Sequence, residues 1–367
     1  MDTTTRNEPQ QQPLRILFLP YFAPGHLIPA ADMAAVFAAR GARCTILTTP
    51  VNADIIRPAV DRANNANDSN PAIPIDISVV PFPDVGLPPG FENVRYMNQS
   101  HGPEHYGKFL HAALLLREPF DRFLAAARPG VDGVVTDSFF TWSQDAAAAH
   151  GVPRLVFLGI SVFARSCFES TLRNNPLEAC PEDDDDPDAL VLLPGLPHRV
   201  ELRRRQILDP RKRLLEWQFY ESASAADRRS FGEVFNSFRE LEPDYVEHFH
   251  ANLSRRGWLV GPVALATDSR DVVATGGIST DGVADSCIRW LDAKPVGSVV
   301  YVSFGTLTSF SPADLVELME PMYPQLLIHL LLRARPRFPV NTEQIGLRQR
   351  DFPLIPVNKQ HSIDNII

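Results

Sequence analysis

"LFLPYFAPGHLIPAADMAAVFAARG", residues 17–41, is the stretch whose reading decides the fold. It opens as a short apolar strand, passes through a Pro-Gly-His turn and continues as an alanine-rich helix that Gly41 closes. In this reading Pro29 sits in the first helical turn, where a missing N–H costs nothing. A strand that feeds directly into a helix is the opening unit of an open α/β sheet. Such sheets take their ligands at the carboxyl ends of the strands, and His26 falls at that edge. With an ordinary pKa of about 6.5, a histidine there can work as a general base if a carboxylate holds its ring. A surface histidine on a loop reads the same way from these residues alone.

The pattern repeats outward from this stretch. "RILFLP" (15–20), "CTILTT" (44–49), "IDISVV" (75–80), "DGVVTD" (132–137), "RLVFLG" (154–159) and "FGEVFNSF" (231–238) are strand-like runs. Helical patterns separate them, including a long one from about His105 to Ala127, one containing "SQDAAAAH" and one starting in "ELEPDYVEHFH". Near-continuous apolar runs of this kind mark parallel strands buried on both faces. "DRANNANDSNP" and the Pro- and Gly-rich "PFPDVGLPPGFEN" (81–93) read as surface loops, and 33 prolines imply long shaped connections. Asp137 ends the fourth strand, directly before the aromatic run "SFFTW". In a doubly wound sheet the ends of strands one and four are neighbours across the switch point, so Asp137 is the carboxylate expected to face His26. Two independent loop residues are the alternative.

Bulk properties narrow the class. The 367 residues suffice for two domains, and 44% hydrophobic with 22% charged residues is the composition of a soluble globular protein. A net charge of −9 argues against a nucleic-acid partner. The polar start "MDTTTRNEPQQQ" has no apolar signal core, and no run approaches the ~18 apolar residues of a membrane span. Both points lead to the expectation of a cytoplasmic protein without an integral membrane segment. Cys44, Cys167, Cys180 and Cys287 form no CxxC pair and read as reduced packing thiols. The acidic run "EDDDDPD" (182–188) reads as a solvated loop rather than a metal site.

The domain plan follows. Residues 1–13 are expected to be disordered and 14–260 to form a first Rossmann-like domain. Residues 261–285, poor in large apolar side chains, read as a linker. A second strand–turn–helix begins at 286–319, with "SVVYVSF", the turn "SFGT" (303–306) and a helix capped by Ser311 with Pro312 behind it. That helix then meets Pro321 and Pro324, which its interior cannot accommodate. Residues 320–367 carry "LLIHLLL", with no polar face, then several arginines, and show no repeated strand–helix alternation. A Rossmann-like half needs on the order of 150 residues, so the second domain is expected to be incomplete.

Seven stretches, in this order, resemble the plant-type UDP-sugar-dependent glycosyltransferases: "PYFAPGHLIPAADMA", "TILTTPVNADII", "PFPDVGLPPGFEN", "VVTDSFFTW", "FNSFRELEPDY", "GPV" and "CIRWLDAKPVGSVVYVSFGT". The resemblance runs from about Arg15 to Met319. It implies a GT-B-like α/β fold of two Rossmann-like domains, the first for the acceptor and the second for the UDP-sugar. It also implies an inverting, metal-independent transfer with no cofactor beyond the UDP-sugar co-substrate, carried out by a monomer. On this resemblance His26 is the base and Asp137 its partner. Gly305 and Thr306 belong to the turn that contacts the donor phosphates, and Phe22, Phe91, Glu92, Phe139 and Trp142 line the acceptor pocket. Each of those aromatic residues reads equally well as core packing. The family continues with Trp-Ala-Pro-Gln and His-Cys-Gly-Trp-Asn-Ser motifs, and neither occurs in residues 320–367. Two expectations stand together: transfer of a sugar, glucose by family habit, to a hydroxyl of a small, mostly apolar acceptor; or an inactive fragment that retains acceptor or partner binding. A Rossmann-type oxidoreductase would carry GxGxxG after strand one, and this chain has none.

Overall fold

The apolar runs pair into one parallel sheet. The computed structural model describes residues 12–65, 73–96, 102–178, 180, 186–266, 289–296, 298–303 and 329–333, with backbone alone for 102, 103, 300–303 and 329–333. The strands are β1 (Arg15–Leu19), β2 (Arg43–Thr48), β3 (Asp76–Val79), β4 (Gly133–Thr136) and β5 (Arg154–Phe157). A separate antiparallel hairpin follows, β6 (Leu190–Leu193) and β7 (Val200–Arg203), and then β8 (Gly232–Phe235) and β9 (Gly257–Leu259) complete the main sheet. Its order is β3-β2-β1-β4-β5-β8-β9, with every neighbouring pair parallel. The chain reverses direction across the sheet between β1 and β4, which is the switch point of a doubly wound fold. The short edge strand β9 has no counterpart in the sequence reading.

Side-chain alternation along each strand divides the interior into two layers. Leu17, Leu19 and Val134 face one side, against Phe109, Phe120, Phe140 and Trp142. Phe18 and Val135 face the other, against Leu27, Ala30, Met33 and Ala34. The first layer is closed by α3 (Gly102–Leu115), α4 (Arg117–Ala126) and α5 (Ser143–Ala149). The second is closed by α1 (Pro24–Ala38) and α2 (Pro50–Asn65). The alanines of α1 are small enough to let the helix lie close on the sheet. Gly41, at φ +88°, ends its terminal turn in the left-handed region that favours glycine.

Three sequence expectations change. Helix α1 starts at Pro24, so Pro29 is an interior residue rather than part of the first turn, and His26 lies in the helix's first turn rather than in a loop. The polar stretch after Asp61 is helical up to Asn65, and the Asn64 amide clamps Ile75 from both sides, donating to its carbonyl and accepting from its N–H at 3.1 and 2.9 Å. The expected linker begins later than Gly261. Val263 opens the short helix α9 (Val263–Ala266) and is buried against the α1 layer. The remaining connections are α6 (Val162–Asn174), α7 (Leu214–Arg228) and α8 (Pro243–Ala251). Cys44, Cys167 and Cys180 are free thiols, and burial pushes the Cys44 thiol up to about 12.

The chain divides into two units, Met1–Thr267 and Asp268–Ile367. In the second, β10 (Val299–Ser303) pairs in parallel with β11 (His329–Arg333), Val299 opposite His329. The sequence reading found no strand in residues 320–367. A run with no polar face is compatible with a strand, and "HLLLR" forms one. The helix expected from Ser311, with Pro321 and Pro324, lies outside the described residues, as do residues 1–11 and most of the acidic run. Asp188, at the end of that run, is exposed and pairs with Arg203 and Arg205.

The β8–β9 edge tests the packing. A methyl group on Gly232 would meet the Trp258 ring and, at 2.8 Å, the Arg256 carbonyl, which cannot move without breaking the strand pair. Gly232→Ala is therefore expected to destabilise the first unit by about 1–3 kcal/mol, seen as a lower urea midpoint at unchanged m-value.

Candidate functional site

Strand pairing brings the two key side chains together. Leu19 at the end of β1 lies opposite Thr136 at the end of β4, and the Asp137 N–H extends the ladder to the Leu19 carbonyl at 3.1 Å. From β1 the chain turns into α1, whose first turn is fixed by Pro24 and by His26 N–H donating to the Ala23 carbonyl at 2.9 Å. His26 Nδ1 then lies 2.6 Å from Asp137 Oδ2. The other carboxylate oxygen, Oδ1, accepts from the Phe139 N–H at 2.9 Å, which fixes the plane of the group.

The two partners differ in exposure. The Asp137 side chain is 2% exposed and the His26 side chain 23%. Burial works to lower the His26 pKa, but the Asp137 charge and hydrogen bond outweigh it, and the net effect is a value above the ordinary 6.5. In the neutral ring, Nδ1–H donates to the carboxylate and Nε2 keeps its lone pair as acceptor. That is the protonation pattern of an oriented general base.

Aromatic rings wall the pair. Tyr21 and Phe139 have centroids 5.7 and 5.5 Å from the His26 ring and stand 4.9 Å from each other, edge to face. Phe139 in turn meets Phe219 and Tyr220 of α7 at 5.7 and 6.1 Å. Burial raises the pKa of the Tyr21 phenol, and Tyr106, Asp137 and Tyr220 raise it further, so the hydroxyl stays neutral. Among the five residues expected to line an acceptor pocket, Phe139 is the one in ring contact with His26. Phe22 is fully buried and packs on Phe82, Phe109 and Phe140. Trp142 is buried against Phe120 and Phe140, and its indole N–H donates to the Ala113 carbonyl at 3.1 Å. Phe91 is half-buried beside Tyr96, with centroids 6.3 Å apart. Glu92 accepts from the Val51 N–H at 2.9 Å and so caps the start of α2. Gly305 and Thr306 lie outside the described residues.

Sequence reasoning missed Tyr21, Phe219 and Tyr220. Tyr21 was available on the argument that singled out Phe22, since both follow β1. The α7 pair sits in "LLEWQFYESASAADR", where Trp217, Ala223 and Ala226 form a buried helical face that the reading passed over.

Comparison with known proteins places this fold in a class, an α/β fold of the GT-B type. No family model matches the chain. It is 36% identical over 313 residues to the anthocyanin 3'-O-beta-glucosyltransferase of Gentiana triflora, covering 83% of this chain and 62% of that protein. It is also 36% identical over 312 residues to the scopoletin glucosyltransferase of Nicotiana tabacum, with the same two coverages. The crystal structure of Glycyrrhiza uralensis UGT73P12 complexed with glycyrrhetinic acid 3-O-monoglucuronide superposes with a TM-score of 0.70 at 35% identity, covering 84% of this chain and 60% of that one. Over the part that aligns, the chain is similar to plant UDP-glycosyltransferases. It spans about 62% of the length of the two curated relatives. Among the described residues no helix is long and apolar enough to cross a membrane.

Two substitutions test the local geometry. Asp137→Asn removes the charge that opposes burial, so the His26 pKa is expected to fall from its raised value, read from its ring resonances in an NMR pH titration. Glu92→Ala removes a helix cap and is expected to cost about 1 kcal/mol of stability. If Glu92 instead served mainly in ligand contact, thermal melting would be unchanged.

Proposed function

We propose that this chain is built to transfer a sugar, glucose in the first instance, from a UDP-sugar to a hydroxyl of a small, mostly apolar acceptor. The observation that carries the reading is the 2.6 Å contact between His26 and the buried Asp137 at the ligand edge of the sheet. The relatives' names support it: both are glucosyltransferases, and an anthocyanin or scopoletin is a flat phenol that suits the walls formed by Tyr21 and Phe139. A half-exposed tyrosine at the same site, Tyr106 or Tyr220, adds a polar tip for orienting such a ring.

In the proposed reaction the acceptor oxygen attacks the anomeric carbon of a UDP-α-sugar. The new C–O bond forms as the bond to the phosphate oxygen of UDP breaks, and UDP leaves with that electron pair. His26 Nε2 takes the hydroxyl proton, and Asp137 stabilises the imidazolium that results. A single displacement inverts the anomeric centre. Gly305 and Thr306 are the residues proposed to meet the donor phosphates. A second reading, acceptor binding without transfer, is favoured by one observation: residues 320–367 lack the family's Trp-Ala-Pro-Gln and His-Cys-Gly-Trp-Asn-Ser motifs.

One experiment decides between them. UDP-glucose is titrated calorimetrically into the purified chain, and transfer to a panel of phenols is then assayed. The first reading expects donor binding, with turnover reduced about 10²–10⁴-fold in His26→Ala while acceptor binding persists. The base must be unprotonated, so turnover should rise with pH through an inflection above the ordinary histidine value of about 6.5. Acceptor binding without donor binding establishes the second reading, and binding of neither ligand overturns both.

A further inference from the structure

The end of β4 carries the carboxylate, and a charge network outside the His26–Asp137 contact holds that end in place. Arg154, at the start of β5, is 1% exposed. Its Nε donates to Thr136 Oγ1 at 2.6 Å, and its Nη2 donates to the Asp137 carbonyl at 3.1 Å. Its Nη1 donates to Asp227 Oδ1 at 3.1 Å and to Ser230 Oγ at 2.8 Å. The hydroxyls around it form one consistent chain of donors. Thr136, accepting from Arg154, donates to Ser143 Oγ at 2.8 Å, and Ser143 donates to the Phe140 carbonyl at 2.7 Å. Ser138 Oγ donates to Asp227 Oδ2 at 2.6 Å. The segment 136–140 is thus tied at Thr136, Asp137, Ser138 and Phe140, each tie leading directly or through one or two residues to Arg154.

Such a cluster is poorly explained by stability. Removing a guanidinium from water costs several kcal/mol, and buried ion pairs are often replaceable by apolar side chains without loss. The network is larger than one pair: Asp227 also accepts from Arg165, which pairs with Glu233 at 2.9 Å. What the arrangement provides is geometry. Arg154 is a planar fork whose donors reach two atoms of the β4 end and two atoms near the end of α7 at once, something a lysine cannot do.

We infer that Arg154 is the positioning residue of the His26–Asp137 pair, holding the main chain at Thr136–Asp137 so that the carboxylate stays in contact with the ring. Its functional meaning rests on the base role proposed for His26. The test reads the pair itself and does not depend on transfer.

The measurement is the NMR pH titration of the His26 ring in the full chain, for the wild type, Arg154→Lys, Arg154→Met and Thr136→Val. The groups facing His26 are Asp137 and Tyr21, with Arg154 behind Asp137. The sign discriminates. Arg154's own positive charge disfavours the imidazolium, so losing that charge with the geometry intact would raise the His26 pKa. Loss of positioning lets the carboxylate drift and lowers it. Arg154→Lys keeps the charge and is expected to lower the value by about one unit, and Thr136→Val, which changes no charge, by about half a unit. Wild-type titration in both, or a rise in Arg154→Met, overturns the inference. Should the Arg154 variants fail to fold, Thr136→Val decides alone. If no transfer is found in the assay above, the titration result still stands, so the two failures are distinguishable.

Discussion

Parallel pairing of β1 with β4 is the constraint on which the site depends. With Leu19 opposite Thr136, both chains leave the sheet at the same level, one into α1 and the other into the Asp137–Phe140 turn. Residues 111 positions apart in sequence therefore meet within a hydrogen bond. A shift of one residue in this register would turn every side chain of β4 to the opposite layer. The opposed layers of Val134 and Val135 prevent such a shift, because each has its own set of large apolar partners.

Around that pairing, two opposing electrostatic effects are held in balance. Burial disfavours charge on both His26 and Asp137, while their contact favours it. The carboxylate can be buried because its oxygens have donors from His26 and the Phe139 N–H, and its carbonyl has one from Arg154. The histidine stays partly open, while its Nδ1 is held by the carboxylate. The rings of Tyr21 and Phe139 pack against His26 without competing for its hydrogen bond to Asp137. The same environment keeps the Tyr21 phenol neutral, so no second base arises beside the first.

The fold was largely legible because its signals are local. Six strand runs, the close of α1 at Gly41 and the placement of His26 and Asp137 at the carboxyl edge all follow from periodicity and breaker residues. Local rules failed where a breaker was overruled by packing. Pro29 was read as a helix start, yet α1 begins at Pro24 because the chain turns as soon as it leaves β1, and the helix tolerates the missing N–H. "HLLLR" carried too few flanking signals to be read as a strand, and its partner β10 lies about thirty residues upstream.

The sequence by itself determined the six main strand runs with the helices between them, the edge at which His26 sits and the family that the chain resembles. Only the tertiary structure decided which side chains face that edge. Phe22 and Phe139 are both aromatic residues just beyond a strand end, yet one is sealed in the core and the other meets His26. Glu92 became a helix cap and Arg154 a brace through partners dozens of residues or one strand away. The physical reason is that periodicity sets the face on which a residue lies, while contact is set by what other elements bring to that face. No local pattern records those long-range neighbours.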